Sequence, residues 1–265
     1  MSSGKSDPYP KIKAKILYGE NEPIFAKLPN NVLANLRHRG SENAVLWNVI
    51  YPLAQPRISL TSLLTLSPLW GTMALESEDD LLEPYFWGYN ISGSRMVSLD
   101  DVLERIDGKG PRTEVDLFLL GENNLILVEA KHLGDLGRCS RYARNRCPEI
   151  HREEGASAET CRYWESGDQA FNRLLNFGGR PVPDDASPPC NHHYQLARTL
   201  LIGDALAREQ QLDLSLWMLV TKKRWRSTER TWLDFADRVV EDELWRRMRV
   251  IAWEDLQRMS AAKEV

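Results

Sequence analysis

"LILVEAKH" occupies residues 125–132. Four apolar residues run without a break into Glu129, Ala130, Lys131 and His132, the pattern of a buried strand up to the point where it leaves the core. Side chains alternate across a strand, so Glu129 and Lys131 share one face. The strand therefore ends on an acid and a base held side by side. Its neighbours decide whether this is a salt bridge at a sheet edge or part of a site.

Upstream, "TEVDLFLL" (113–120) reads as a second apolar strand and "GENN" (121–124) as a short connection containing Gly and Asn. Two apolar runs joined in this way predict a β-hairpin. The hairpin would carry Asp116 on its first strand to the same end of the sheet as Glu129 and Lys131. Further upstream, "NNVLANLRH" is helical and stops at Gly40, and Ser41 is placed to N-cap "ENAVLWNVIYPL", which Pro52 closes. "EPYFWGYNI" (83–91) reads as a strand, whereas "RISLTSLLTLSPLWG" has no clear period.

Downstream the character changes. Residues 134–190 are charged, contain Gly and Pro, and hold all four cysteines. They read as an insertion over one face of the sheet rather than as core. "NHHYQLARTLLIGDALAREQQ" (191–211) is a helix, "LSLWMLVTKK" (214–223) a buried strand, and "ERTWLDFADRVVEDELWRRM" (229–248) an amphipathic helix. "RVIAWEDL" (249–256) is a last short strand or turn, and residues 1–12 and 259–265 are loose ends. Strands mixed with helices predict an α/β fold, a mixed central sheet flanked by helices, in a single domain over 1–265.

A chain of 265 residues with 42% hydrophobic content can bury a sizeable core. Its net charge of −4 makes no global case for a polyanionic partner, but charge is unevenly spread. Residues 76–83 hold Glu76, Glu78, Asp79, Asp80 and Glu83. Lys131, Arg138, Arg141, Arg144 and Arg146 face only Asp135 within 131–147. Lys222, Lys223, Arg224, Arg226 and Arg230 face only Glu229 within 221–230. Nucleic-acid binding needs a local basic surface rather than a basic average, and a solvated charged face is the plainer alternative. Trp225 among the second group of bases can stack on a nucleobase, or sit in a solvated turn. No apolar run approaches a membrane span and the N-terminus lacks an apolar signal core, so a cytoplasmic protein is expected.

Asp116, Glu129 and Lys131 suit phosphodiester hydrolysis. Paired carboxylates bind Mg²⁺ or Mn²⁺, hard cations that prefer oxygen ligands. Such a cation acidifies water and neutralises phosphate charge, while a lysine orients the nucleophile or stabilises the developing charge. The spacing from "EVD" to "EAK" resembles the core of the PD-(D/E)XK nuclease superfamily, the fold of many restriction enzymes. That resemblance implies an αβββαβ core and metal-dependent cleavage of DNA. It makes Asp116 the motif aspartate, Glu129 the second acid and Lys131 the motif lysine, with the backbone carbonyl of Ala130 completing the metal site. Some branches add a helix glutamate, for which Glu42 is the candidate, and a glutamine from the following helix, for which Gln195 is the candidate. Val115 stands where the family pattern has proline. A homodimer fits an enzyme that cuts both strands. The competing reading is a nucleic-acid-binding module on the same scaffold without turnover.

The thiols are a separate matter. Cys139, Cys147, Cys161 and Cys190, with His192 and His193 beside the last, can form a closed zinc site that staples the insertion. They contain no C-x-x-C pair and match neither a common zinc ribbon nor the cysteine frame of iron–sulfur nucleases. Free buried thiols are the other reading.

Overall fold

The computed structural model describes residues 15–262 apart from 39, 56, 73–78, 110–114, 152–159, 166–169 and 184. Its strands are β1 (Ile58–Ser59), β2 (Leu81–Phe86), β3 (Tyr89–Asn90), β4 (Leu117–Leu120), β5 (Asn124–Lys131), β6 (Asp213–Val220) and β7 (Arg249–Ala252). They form one sheet in the order β1-β2-β4-β5-β6-β7, with β3 paired to β2. The sheet is mixed: the β2–β4 and β4–β5 pairs are antiparallel, while the β5–β6 and β6–β7 pairs are parallel. Helices flank it, as the alternation of apolar patterns predicts.

All eight residues of β5 are buried, because helices cover both of its faces. Ile126, Val128 and Ala130 pack with Trp47 and Ile50 of the Glu42–Leu53 helix and with Trp253 and Leu256 of the Trp253–Ala262 helix. Leu125 and Leu127 point the other way, into a second cluster with Leu196, Leu200 and Leu201 of the Tyr194–Gln210 helix. The period of two thus divides one strand between two cores. Gly203 lets the second helix approach closely, since a Cβ there would lie 2.2 Å from Leu127 Cδ1.

The hairpin forms as expected, with Leu117 opposite Val128 and Leu120 opposite Leu125. Its turn is held from outside. Asp80, only 4% exposed, accepts from the Glu122 N–H (2.9 Å), the Asn123 N–H (3.1 Å) and Asn124 Nδ2 (2.9 Å). These bonds outweigh the cost of burial and hold its carboxyl below the ordinary aspartate range. Ser41 caps the Glu42–Leu53 helix by accepting from the Ala44 N–H at 3.1 Å.

Elsewhere the structure corrects the reading. The predicted strand over 83–91 is two strands, β2 and β3, around Trp87 and Gly88, both at positive φ. A helix at Leu99–Asp107 has no counterpart among the expectations. The helix expected at 229–248 begins at Lys222, capped by Thr221, ends at Ala236, and is followed by a separate turn at Asp242–Arg246. The stretch "TKKRWRSTER" is therefore the opening of a helix rather than a turn. The tail expected from 259 is helical to Ala262, with Ser260 buried. The insertion is not wholly peripheral: Phe171, Leu174 and Leu175 are at most 1% exposed and join the second core. The arm at 1–12 lies outside the described residues. Among those described, no helix is long and apolar enough to cross a membrane.

Candidate active site

The carboxyl ends of β5 and β6 lie side by side, Lys131 paired with Val220. In sheets with parallel strands this edge is where the chain turns outward and ligands bind. Asp116 precedes β4 by one residue, and the hairpin register places it opposite Glu129. Its Oδ2 accepts from the backbone N–H of Ala130 at 2.9 Å. Glu129 and Lys131 are 1% and 5% exposed, and Lys131 Nζ lies 2.7 Å from Glu129 Oε1. The three side chains therefore converge.

Glu42 and Gln195 reach the same place from opposite layers. Glu42, in the first turn of its helix, has Oε1 3.7 Å from Lys131 Nζ. Its Oε2 accepts from the His132 N–H (2.7 Å) and the Gly134 N–H (3.4 Å), so it also fixes the chain as it leaves β5. Gln195 Nε2 donates to Glu129 Oε1. Its Oε1 accepts from the Gly137 N–H at 2.6 Å, and its own N–H returns a bond to the Gly137 carbonyl at 3.2 Å.

The electrostatics follow from this crowding. Burial and the neighbouring Glu129 charge push the Asp116 carboxyl well above the usual range, against the pull of Lys131 and the Ala130 N–H. Burial alone would lower Lys131, but Glu129, Asp116 and Glu42 outweigh it and hold the ammonium charged beyond the ordinary lysine range. Asp116 and Glu129 are oxygen donors of the kind hard cations take, but Glu129 is already paired with the Lys131 ammonium, and among the described residues no group of three His, Cys, Asp or Glu side chains is arranged to hold a metal ion.

The basic stretches lie beside this edge. Arg138, Arg141, Arg144 and Arg146 are exposed on the segment that follows β5. Lys222, Lys223 and Arg226 are exposed on the first turns of the helix leaving β6. Arg224 pairs with Asp135 and so ties that helix to the loop beyond Lys131. Lys222 is partly engaged already, with Nζ 2.9 Å from Asp255 Oδ1. Trp225 is placed differently from the expectation of a surface aromatic: it is 8% exposed and packs in the second core.

Some contributors carried no local signal. Gly137 and the backbone of His132 and Gly134 hold Gln195 and Glu42, and nothing in their sequence marks them. All four cysteines are free and line one cavity of about 850 Å³, whose wall also includes Gln195.

Residues 30–263 match the family described as Restriction Endonuclease associating with ARP. No curated protein and no solved structure matches the chain.

Proposed function

Because the chain belongs to the family of restriction endonucleases associating with ARP, we propose that it hydrolyses phosphodiester bonds of DNA at the Asp116–Glu129–Lys131 cluster, in the manner of PD-(D/E)XK nucleases. The convergence of these three side chains at the carboxyl edge of β5 carries the reading. On it, the core formed by the Glu42–Leu53 helix, β2, the β4–β5 hairpin, the Tyr194–Gln210 helix and β6 is the αβββαβ unit.

Asp116 and Glu129, with the Ala130 carbonyl, would hold Mg²⁺ or Mn²⁺. Bound there, the cation supplies Lewis acidity, acidifying water and offsetting charge on the phosphate. The chain's own residues do the rest. Lys131, its ammonium paired with Glu129 and facing Glu42, would serve as a cation toward the attacking oxygen and the phosphate. Gln195 fixes the Glu129 carboxylate, and Glu42 fixes the backbone beyond Lys131 while facing its ammonium. The exposed arginines at 138, 141, 144 and 146 and the bases of 222–226 would hold the DNA backbone on either side, a salt-dependent attraction. A cytoplasmic homodimer, with one site for each strand, completes the proposal.

The test is cleavage of supercoiled plasmid and of mixed genomic DNA with Mg²⁺ or Mn²⁺, against EDTA and against Asp116→Asn and Lys131→Ala. Cleavage that needs the metal and falls by roughly 10²–10³-fold in Lys131→Ala is expected. Lys131→Ala strips the buried Glu129 of its counter-charge, so its folding is checked by circular dichroism. DNA binding that survives EDTA, with no cleavage of any substrate, would favour the binding module instead.

A further inference from the structure

The four cysteines are the chain's full complement, spread from residue 139 to residue 190. The fold brings all of them to the wall of one cavity, although only one is more than nine-tenths buried. Chance burial of free thiols would scatter them. Instead they come from four separate short segments: Cys139 and Cys161 each precede a single helical turn, at Ser140–Ala143 and Arg162–Trp164, and Cys190 lies within one, at Pro189–His192. Such segments have little regular hydrogen bonding of their own, the situation in which small units rely on a cross-link or a metal.

We propose that Cys139, Cys147, Cys161 and Cys190 form a tetrathiolate site for a soft divalent cation of the zinc class, which clamps the insertion beside the candidate active site. Thiolates select soft cations, and four of them make the closed coordination of a structural zinc. Two N–H groups offset part of the cost of burying anionic sulfur. The Tyr163 backbone N–H lies near enough to Cys161, two residues earlier, to favour its thiolate. The indole N–H of Trp164 is buried without a full hydrogen bond and lies near enough to Cys190 to favour its thiolate. Burial pushes the Cys161 and Cys190 thiols up, and binding a cation there would release protons.

As they stand, among the described residues no three His, Cys, Asp or Glu side chains converge on one point. Binding thus includes an inward turn of the thiols about χ1. Glu149 is engaged elsewhere: it is 1% exposed, accepts from the Cys161 N–H at 2.7 Å, and is bound by Arg180 Nε at 2.5 Å and Nη2 at 2.8 Å. It shapes the site from outside and is not one of the ligands. The clamp has a mechanical consequence. Cys139 lies two residues after Gly137, and its N–H bonds the Asn191 carbonyl at 3.2 Å, next to Cys190. Joining Cys139 to Cys190 would lock together the two segments that meet at the Gly137–Gln195 bonds.

The reduced full-length chain is titrated with Co²⁺ alone under inert gas, then with Zn²⁺. One equivalent of Co²⁺ should give intense near-ultraviolet thiolate-to-cobalt absorption with the visible bands of a tetrahedral site, and one equivalent of Zn²⁺ should abolish both. Asp116→Asn should give the same spectrum, which separates this site from the carboxylate site whether or not the protein cleaves DNA. Cys161→Ser and Cys190→Ser should each lose the charge-transfer band. If those variants fail to fold, the wild-type titration still decides. A folded wild-type chain with four reactive thiols and no thiolate–cobalt band would overturn the proposal, as would purification with iron and sulfide in place of zinc.

Discussion

Gln195 binds Glu129 from a helix in another layer, and the same side-chain amide accepts from the Gly137 N–H at 2.6 Å. With both ends of the amide occupied, Glu129 has a neighbour that cannot rotate away. The orientation of this buried carboxylate is thus set by a loop that follows it in sequence by eight residues.

Gln195→Ala frees Glu129, and on the proposed function cleavage should fall by about 10–100-fold, the usual cost of losing an outer partner at such a site. Gly137→Ala should act on the same element, since its Cβ would stand 2.9 Å from Gln195 Oε1. Because the two act as one unit, the double variant should be little worse than Gln195→Ala. Single-turnover rates on one duplex measure this, and additive losses would refute the latch.

Asp116 carries a second prediction, in stability. Its carboxyl is raised in the fold relative to about 3.9 in the unfolded chain. Its contribution to stability is therefore fully present below that value and is lost as pH rises toward the folded value. In EDTA, Asp116→Asn should melt above the wild type at neutral pH, with the gap closing toward pH 4. Scanning calorimetry across this range is the check, and a gap independent of pH would remove Asp116 as its source.

Asp80 has the opposite sign. Its folded carboxyl is lowered, so its contribution is present above about pH 4 and is lost as pH falls through the folded value. Asp80→Ala leaves the turn donors of β4–β5 without an acceptor. It should cost about 2–3 kcal/mol and lower Tm by roughly 4–12 °C. The deficit should shrink in acid. Urea unfolding at pH 7 and pH 3 compares the two.

Gly203→Ala tests which effect dominates inside a helix. Propensity alone favours alanine by about 1 kcal/mol. Here the added Cβ meets Leu127, itself fully buried, at 2.2 Å and Leu214 Cδ1 at 2.9 Å. Overpacking of about 1–3 kcal/mol should win. Leu127→Val should recover part of the loss in a double-mutant cycle, and a stabilised Gly203→Ala chain would count against the close packing.

Local chemistry made much of this legible. The period of two placed Glu129 and Lys131 on one face, the Gly-Asn turn joined the strand of Asp116 to theirs, and Ser41 marked the start of the helix that carries Glu42. Two further helices carry short-range signals: Leu99, Val102, Leu103 and Ile106 recur at helical spacing around Asp100 and Asp101, and Glu254 and Asp255 open the last helix. The bases of 222–226 masked a helix start, because a charged run after a strand looks like a turn. Asp80 lay inside an acidic run with nothing to set it apart, and its partners are more than forty residues away. Phe171, Leu174 and Leu175 sit in a segment whose composition is that of a surface loop. Only long-range packing reveals them as core.

Glu42, Asp116, Glu129 with Lys131, and Gln195 come from four stretches of chain, and β6, which flanks β5 on one side, is encoded later still. The order in which these parts leave the ribosome then matters. On the proposed function, a nascent chain that has emerged only as far as the hairpin has its carboxylates but neither the glutamine that orients one of them nor the strand that seals their edge. A prematurely ended message would yield an inert fragment. An enzyme directed at DNA would thus become dangerous to its host only once β6 has been made.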